Sequence, residues 1–108
     1  MRTYTGKRHL EGVVVEVNRE PLPLRLELIN HSPTGFEWGY GGSGPAQLAL
    51  AILADYYAPD FPTVVMNPDR SRLALRSYQA FKWDVVAKLP DEWTLTTDDI
   101  ETWLRGQK

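Results

Sequence analysis

A chain of 108 residues, 43% hydrophobic and 24% charged, has the size and composition of one globular domain, which excludes a second domain and wholesale disorder. Its net charge of −2 lacks the basic excess of a strong duplex-DNA binder. Without cysteine it can form no disulfide, thiolate nucleophile or Cys-based zinc site.

The start, Met1-Arg2-Thr3-Tyr4, leads into charged residues with no apolar segment behind it. The longest apolar run, Leu48 to Ala54, is far shorter than the roughly 20 residues of a membrane helix. A small soluble cytoplasmic protein is expected, with no membrane partner.

In chain order, residues 3–8 form a first short strand that ends in a turn at His9–Gly12. The β-branched run Val13–Val17 is a second strand, and Asn18–Pro21 supplies turn chemistry. Leu22, Leu24, Leu26 and Leu28 then alternate with Pro23, Arg25, Glu27 and Ile29, which predicts a strand with the leucines on one face. Pro23 belongs at its start or on an edge. The first third is therefore a small antiparallel sheet.

Phe36-Glu37-Trp38-Gly39-Tyr40 alternates again and puts three aromatic residues on one face of an extended segment. The turn Gly41-Gly42-Ser43-Gly44-Pro45 opens a helix that runs to Tyr57, capped by Ser43 or Gly44, with Pro45 in its first turn. Between Ala46 and Ala54 only Gln47 is polar, so this helix is central and buried.

Ala58 to Ser71, with its prolines, reads as a loop holding a short strand at Thr63–Met66. A second helix spans about Arg72 to Lys88, with Ala74, Tyr78, Phe81, Val85 and Leu89 as its core stripe. Trp83 falls nearly opposite that stripe, beside Arg76, Ala80 and Ala87. Trp93-Thr94-Leu95 adds a strand. Thr96 with Asp99 forms a capping box for a last amphipathic helix, whose apolar side is Ile100, Trp103 and Leu104 and whose stop is Gly106. The Ala80–Trp83–Ala87 surface is its expected docking place. The fold class is α+β: a small antiparallel sheet packed with three helices, one of them central and buried, in a single domain of residues 1–108.

Three blocks carry a resemblance: His31-Ser32-Pro33-Thr34-Gly35-Phe36-Glu37-Trp38-Gly39-Tyr40-Gly41-Gly42-Ser43-Gly44-Pro45-Ala46-Gln47-Leu48-Ala49-Leu50-Ala51; Tyr78 to Pro90; and Trp93-Thr94-Leu95 through Asp99-Ile100 to Trp103-Leu104. Together, over roughly residue 30 to the end, they resemble the DUF6166 family, small prokaryotic proteins of unknown function also found on phages and plasmids. The resemblance implies a small accessory protein of the kind encoded on mobile elements, and brings no activity or catalytic residue with it.

The residues that point to function lie around the glycine-rich turn. Gly41, Gly42 and Gly44 let a backbone or ligand come close, Ser43 offers a hydroxyl, and free N–H groups at a helix start attract anions. The spacing is neither a P-loop nor a dinucleotide fingerprint, and tight packing of the buried helix is the plainer reading. Phe36, Trp38 and Tyr40 serve either as a stacking platform for unpaired bases or as core. His31, Ser32 and Glu37 hold the side-chain types of a hydrolytic triad, but a triad is a matter of geometry. His9 and His31 are the only histidines and lack ligand spacing, so no metal or cofactor is expected. Asp55, at the end of the buried helix, calls for a partner such as Arg72, Arg76 or a tyrosine. Arg2, Lys7, Arg8, Arg19 and Arg25, and separately Arg70, Arg72 and Arg76, read as solvated basic faces. With no catalytic constellation, the leading expectation is a non-enzymatic protein that binds another protein, or its own copy, through Trp83 or Phe36–Tyr40. Single-stranded nucleic-acid binding, through the aromatics and the N-terminal basic residues, comes second. An enzyme or small-ligand sensor using the glycine turn, with His31, Glu37 or Gln47 converging on it, is third.

Overall fold

The computed structural model describes residues 2–59 and 68–107. It has an α+β fold with a four-stranded antiparallel sheet and three helices, and its contacts divide it into two compact units. The expected strand at Thr63–Met66 lies outside the described residues.

The first unit joins the chain up to Leu22 with the chain from Asp91 on. Its strands are β1 (Thr3–His9), β2 (Gly12–Val17), the two-residue β3 (Glu20–Pro21) and β4 (Glu92–Thr96), in the order β3-β2-β1-β4. β1 and β2 form a hairpin through Leu10-Glu11, and Val13–Val17 is a strand for the β-branched reason given above. Asn18 and Arg19 both take positive φ (49° and 72°), the backbone of the two-residue turn whose twist suits a hairpin. On one face Tyr4, Val15, Val17 and Trp93 are buried; on the other stand Thr5, Lys7, His9, Glu16, Glu92 and Thr94. Gly6 lies opposite Trp93, and the indole fills the place where a side chain at Gly6 would stand. Helix α3 (Thr97–Arg105) starts at the capping box read from sequence: Thr96 Oγ1 accepts from Asp99 N at 3.3 Å, and Thr96 N donates to Asp99 Oδ2 at 2.9 Å. Ile100 is its buried anchor.

The leucine alternation does not become a strand. After Pro21 the chain leaves the sheet, and only Leu22 of the four leucines is fully buried. Arg25 takes positive φ (61°), which a ladder does not allow, and closes a turn in which Leu28 N donates to Arg25 O. Nor is Arg25 part of a solvated basic face: its residue is 4% exposed, and its Nε donates to Glu27 Oε2 at 2.6 Å.

The second unit, Pro23–Pro90, is built on two packed helices, α1 (Ser43–Tyr57) and α2 (Pro68–Asp84). Every residue from Gly44 to Asp55 is buried, so α1 is the central helix that its all-round apolarity predicts. The N-cap is Gly42, one residue before the expected Ser43, and Pro45 sits in the first turn, where its missing N–H leaves no bond unmade.

Helix α2 begins four residues earlier than the predicted Arg72 and stops at Asp84, four short of Lys88. Prolines mark the preceding stretch as loop, yet a proline is tolerated in a helix's first turn. Beyond Asp84 the chain tightens into a 3-10 turn at Val86–Lys88. That change of pitch buries Val86 fully in place of the expected Val85, while Ala74, Tyr78 and Phe81 hold the predicted stripe. Ala80 and Trp83, expected beneath the last helix, are exposed.

Candidate functional site

Phe36 and Trp38 continue the core, and Trp38 Nε1 donates to Pro90 O at 2.7 Å. The alternation should carry Tyr40 to the same side. Gly39 breaks it: with φ at +86° it turns the chain, its N–H donating to Val86 O at 3.0 Å, and Tyr40 emerges 53% exposed. The three-ring platform expected of Phe36, Trp38 and Tyr40 is therefore not formed.

Tyr40 and Trp83 instead lie against consecutive glycines. The ring of Trp83, 58% exposed, lies against Gly41 in the space a methyl group would need, while Tyr40 Cε2 stands 2.7 Å from the place of a Cβ on Gly42. Two consecutive glycines thus let two aromatic rings rest on bare backbone while open to solvent. Beside them the Lys82 ammonium is 4.3 Å from the centre of the Trp83 ring, a cation–π contact, while most of the Lys82 side chain is buried. Sequence reasoning found Trp83 by helical arithmetic but passed over Lys82, which carries no local signal.

Ser43 is exposed at the same helix start. Gly44 is buried against the extended segment, and a Cβ there would meet Glu37 Cβ at 2.6 Å, so this glycine serves close packing. Arg76 is exposed seven residues before Trp83, on the same side of α2 and about 10 Å away along the axis. It acts on Tyr57, whose hydroxyl burial pushes above its ordinary value and Arg76 partly pulls back.

Gln47, the one polar residue between Ala46 and Ala54, is an anchor. Its Oε1 accepts from His31 N (2.7 Å) and Ser32 N (3.0 Å), and its Nε2 donates to Leu24 O (2.6 Å) and Ile29 O (3.0 Å). Both amide hydrogens and both lone-pair directions are used, which leaves nothing for a ligand. Ser32 Oγ donates to Gly35 O at 2.7 Å, and His31 Nε2 lies 2.8 Å from Tyr78 Oη, which also accepts from Gln79 Nε2. His31 and Ser32 thus face different partners and form no triad. Asp55 is buried at the end of α1. Among the described residues no group of three His, Asp or Glu side chains is placed to hold a metal ion.

In the other unit, a shallow cavity of about 290 Å³ lies over the polar sheet face, among Thr5, Lys7, His9, Glu16, Glu92 and Thr94. Strand alternation could have found this group, but only once β4 is known to pair with β1. No helix among the described residues is long and apolar enough to cross a membrane. Comparison with known proteins finds a match over residues 4–106 to a family described as "Family of unknown function (DUF6166)", so the likeness takes in the N-terminal strands as well as the three sequence blocks. No curated protein and no solved structure matches the chain.

Proposed function

This chain belongs to the DUF6166 family, to which no activity is assigned, and from that premise we propose that it is a small non-enzymatic accessory protein that works by binding another protein. The observation that carries the reading is the pair Tyr40 and Trp83, each more than half exposed and each seated on a glycine of the Gly41–Gly42 turn. Tryptophan and tyrosine supply large contact area at low entropy cost and dominate the centres of protein interfaces. Held rings lose little further freedom on binding. An accessory role on a mobile element is part of the same proposal and rests on the family resemblance alone.

Single-stranded nucleic acid is the second reading, favoured by Lys82 against the Trp83 ring and the exposed Arg76 seven residues earlier on the same helix. Two rings remain for stacking, since Phe36 and Trp38 are buried. A ligand site at the glycine turn has less support, because Gly44 is packed on Glu37 and Gln47 is saturated.

The deciding experiment is capture of partners by the tagged protein, with and without nuclease, in parallel with the Tyr40→Ala and Trp83→Ala variants. The reading expects a stoichiometric protein partner that survives nuclease and is lost with either variant while each variant still unfolds near the wild-type temperature. Partners lost with nuclease, by steeply salt-dependent binding, move the assignment to nucleic acid. A partner retained by both variants overturns the aromatic surface.

A further inference from the structure

In the sheet unit, one edge is left open among the described residues. β4 is an outer strand, bonded on one side to β1. In an antiparallel ladder, residues alternate between pairs that exchange hydrogen bonds and pairs that do not. The phase here is fixed at both ends: Arg8 N donates to Asp91 O, and Thr97 N donates to Arg2 O. Within β4, Trp93 and Leu95 therefore bond to Gly6 and Tyr4, and the N–H and C=O groups of Glu92, Thr94 and Thr96 point away from β1.

Thr96 is already committed, since its N–H donates to Asp99 Oδ2 and it caps α3. Glu92 and Thr94, both exposed, are left with outward backbone groups. Natural sheets guard such edges with proline, lysine, a bulge or a very short strand. The opposite edge is guarded this way, β3 being two residues long and ending in Pro21. β4, with the sequence Glu-Trp-Thr-Leu-Thr, has neither proline nor lysine.

We propose that this edge pairs with the same edge of a second copy, β4 against β4 about a two-fold axis at Trp93. In that register Glu92 of each copy lies opposite Thr94 of the other, and every outward N–H and C=O at the two positions finds a partner. Other registers do worse. Centring on Thr94 sets Glu92 against Thr96, whose N–H is taken, and centring on Glu92 sets two carboxylates face to face. The Trp93 ring does not obstruct the approach, because it lies inward over Gly6. Two sheets would become one, and both edges would be closed.

The test is the mass of the full-length chain in solution, by sedimentation or light scattering over a wide concentration range, for the wild type and three variants. The wild type should move toward twice the chain mass as concentration rises. Thr94→Pro deletes an outward N–H and no bond to β1, so it should stay at the single-chain mass. Thr94→Glu sets like charges opposite each other at both pairs and should also be monomeric, which decides the matter if the proline variant does not fold. The double variant Glu92→Lys/Thr94→Glu restores opposite charges across the axis and should dimerise again. A wild type that stays at single-chain mass at every concentration overturns the proposal. So does a dimer that persists in Thr94→Pro and Thr94→Glu, or one abolished by Trp83→Ala instead. Loss of the dimer only in the β4 variants leaves the proposed Tyr40–Trp83 surface untouched, whereas loss only in Trp83→Ala would assign that surface to self-association.

Discussion

Replacing Gln47 by leucine removes four hydrogen bonds at once. Its amide holds two carbonyls (Leu24, Ile29) and two N–H groups (His31, Ser32) of one loop against the buried helix. A typical bond contributes about 1 kcal/mol net, and a buried group left without a partner costs about 1–3 kcal/mol. The loop residues are only partly buried, so water reaches some of the orphaned groups, and leucine returns some apolar burial. A net loss of about 3 kcal/mol follows, a large part of the roughly 5–15 kcal/mol that stabilises a domain. At an m-value of about 1–3 kcal/mol/M, the urea midpoint should fall by about 1 M or more. Amide hydrogen exchange at His31 and Ser32 should accelerate well beyond that at Ala74 or Phe81. Gln47→Glu sharpens the test, because a carboxylate accepts from His31 and Ser32 but must keep its proton to donate to Leu24 or Ile29. Its folded pKa is then raised above the unfolded value of about 4.3. The contribution is fully present below that value and is lost as pH rises through the folded pKa, so this variant should be weakest at neutral pH and recover in acid. A Gln47→Leu protein within 1 kcal/mol of wild type, with unchanged exchange at His31 and Ser32, would refute the reasoning.

Three further outcomes are expected. Arg19→Gly relieves a non-glycine residue at φ 72° and should stabilise by about 0.5–1 kcal/mol, the relief being partly offset by unfolded-state entropy; the melting temperature reads it. Gly6→Ala drives a methyl group into the Trp93 indole and should cost about 1–3 kcal/mol, with a shift in tryptophan emission. Burial holds the Tyr57 hydroxyl above 10.0 against the opposing pull of Arg76, so its stabilising effect is complete below about pH 10 and is lost as pH rises through the folded value. Tyr57→Phe should remove that alkaline loss and Arg76→Ala should enlarge it, as seen in urea midpoints taken on either side of pH 10.

The elements legible in the sequence are those with a local cause. Val13–Val17 is β-branched apart from Glu16, Ala46–Ala54 is apolar apart from Gln47, and Thr96 with Asp99 spells a helix start. The leucines at 22–28 obey a period of two as well, yet a strand also needs an extended backbone, and Arg25 does not supply one. The pairing of β4 with β1 joins segments more than 80 residues apart, and no single-sequence pattern reports such a partner. The site divides the same way. Trp83 lies opposite the core stripe by helix geometry alone, while the emergence of Tyr40 depends on one positive φ at Gly39 and the role of Gln47 on a loop that folds back onto it.

Neighbouring residues on α2 invert the ordinary preference. Lysine is almost never fully buried and tryptophan is highly buried on average, yet Lys82 is buried here and Trp83 is more than half exposed. The domain is not short of core, since Trp38, Phe81 and Leu48 to Leu53 are buried completely or nearly so. Leaving a large apolar side chain in water forgoes about 1.5–3 kcal/mol of burial. Loose packing does not account for the placement, because Gly41 gives the Trp83 ring a seat that any side chain would block, and Lys82 steadies it from beside. A ring that is exposed and seated on its own glycine contributes less to the free chain than burial would. That deficit would be recovered when a partner covers the ring, and this is the physical ground of the proposal that the Tyr40–Trp83 surface binds another protein.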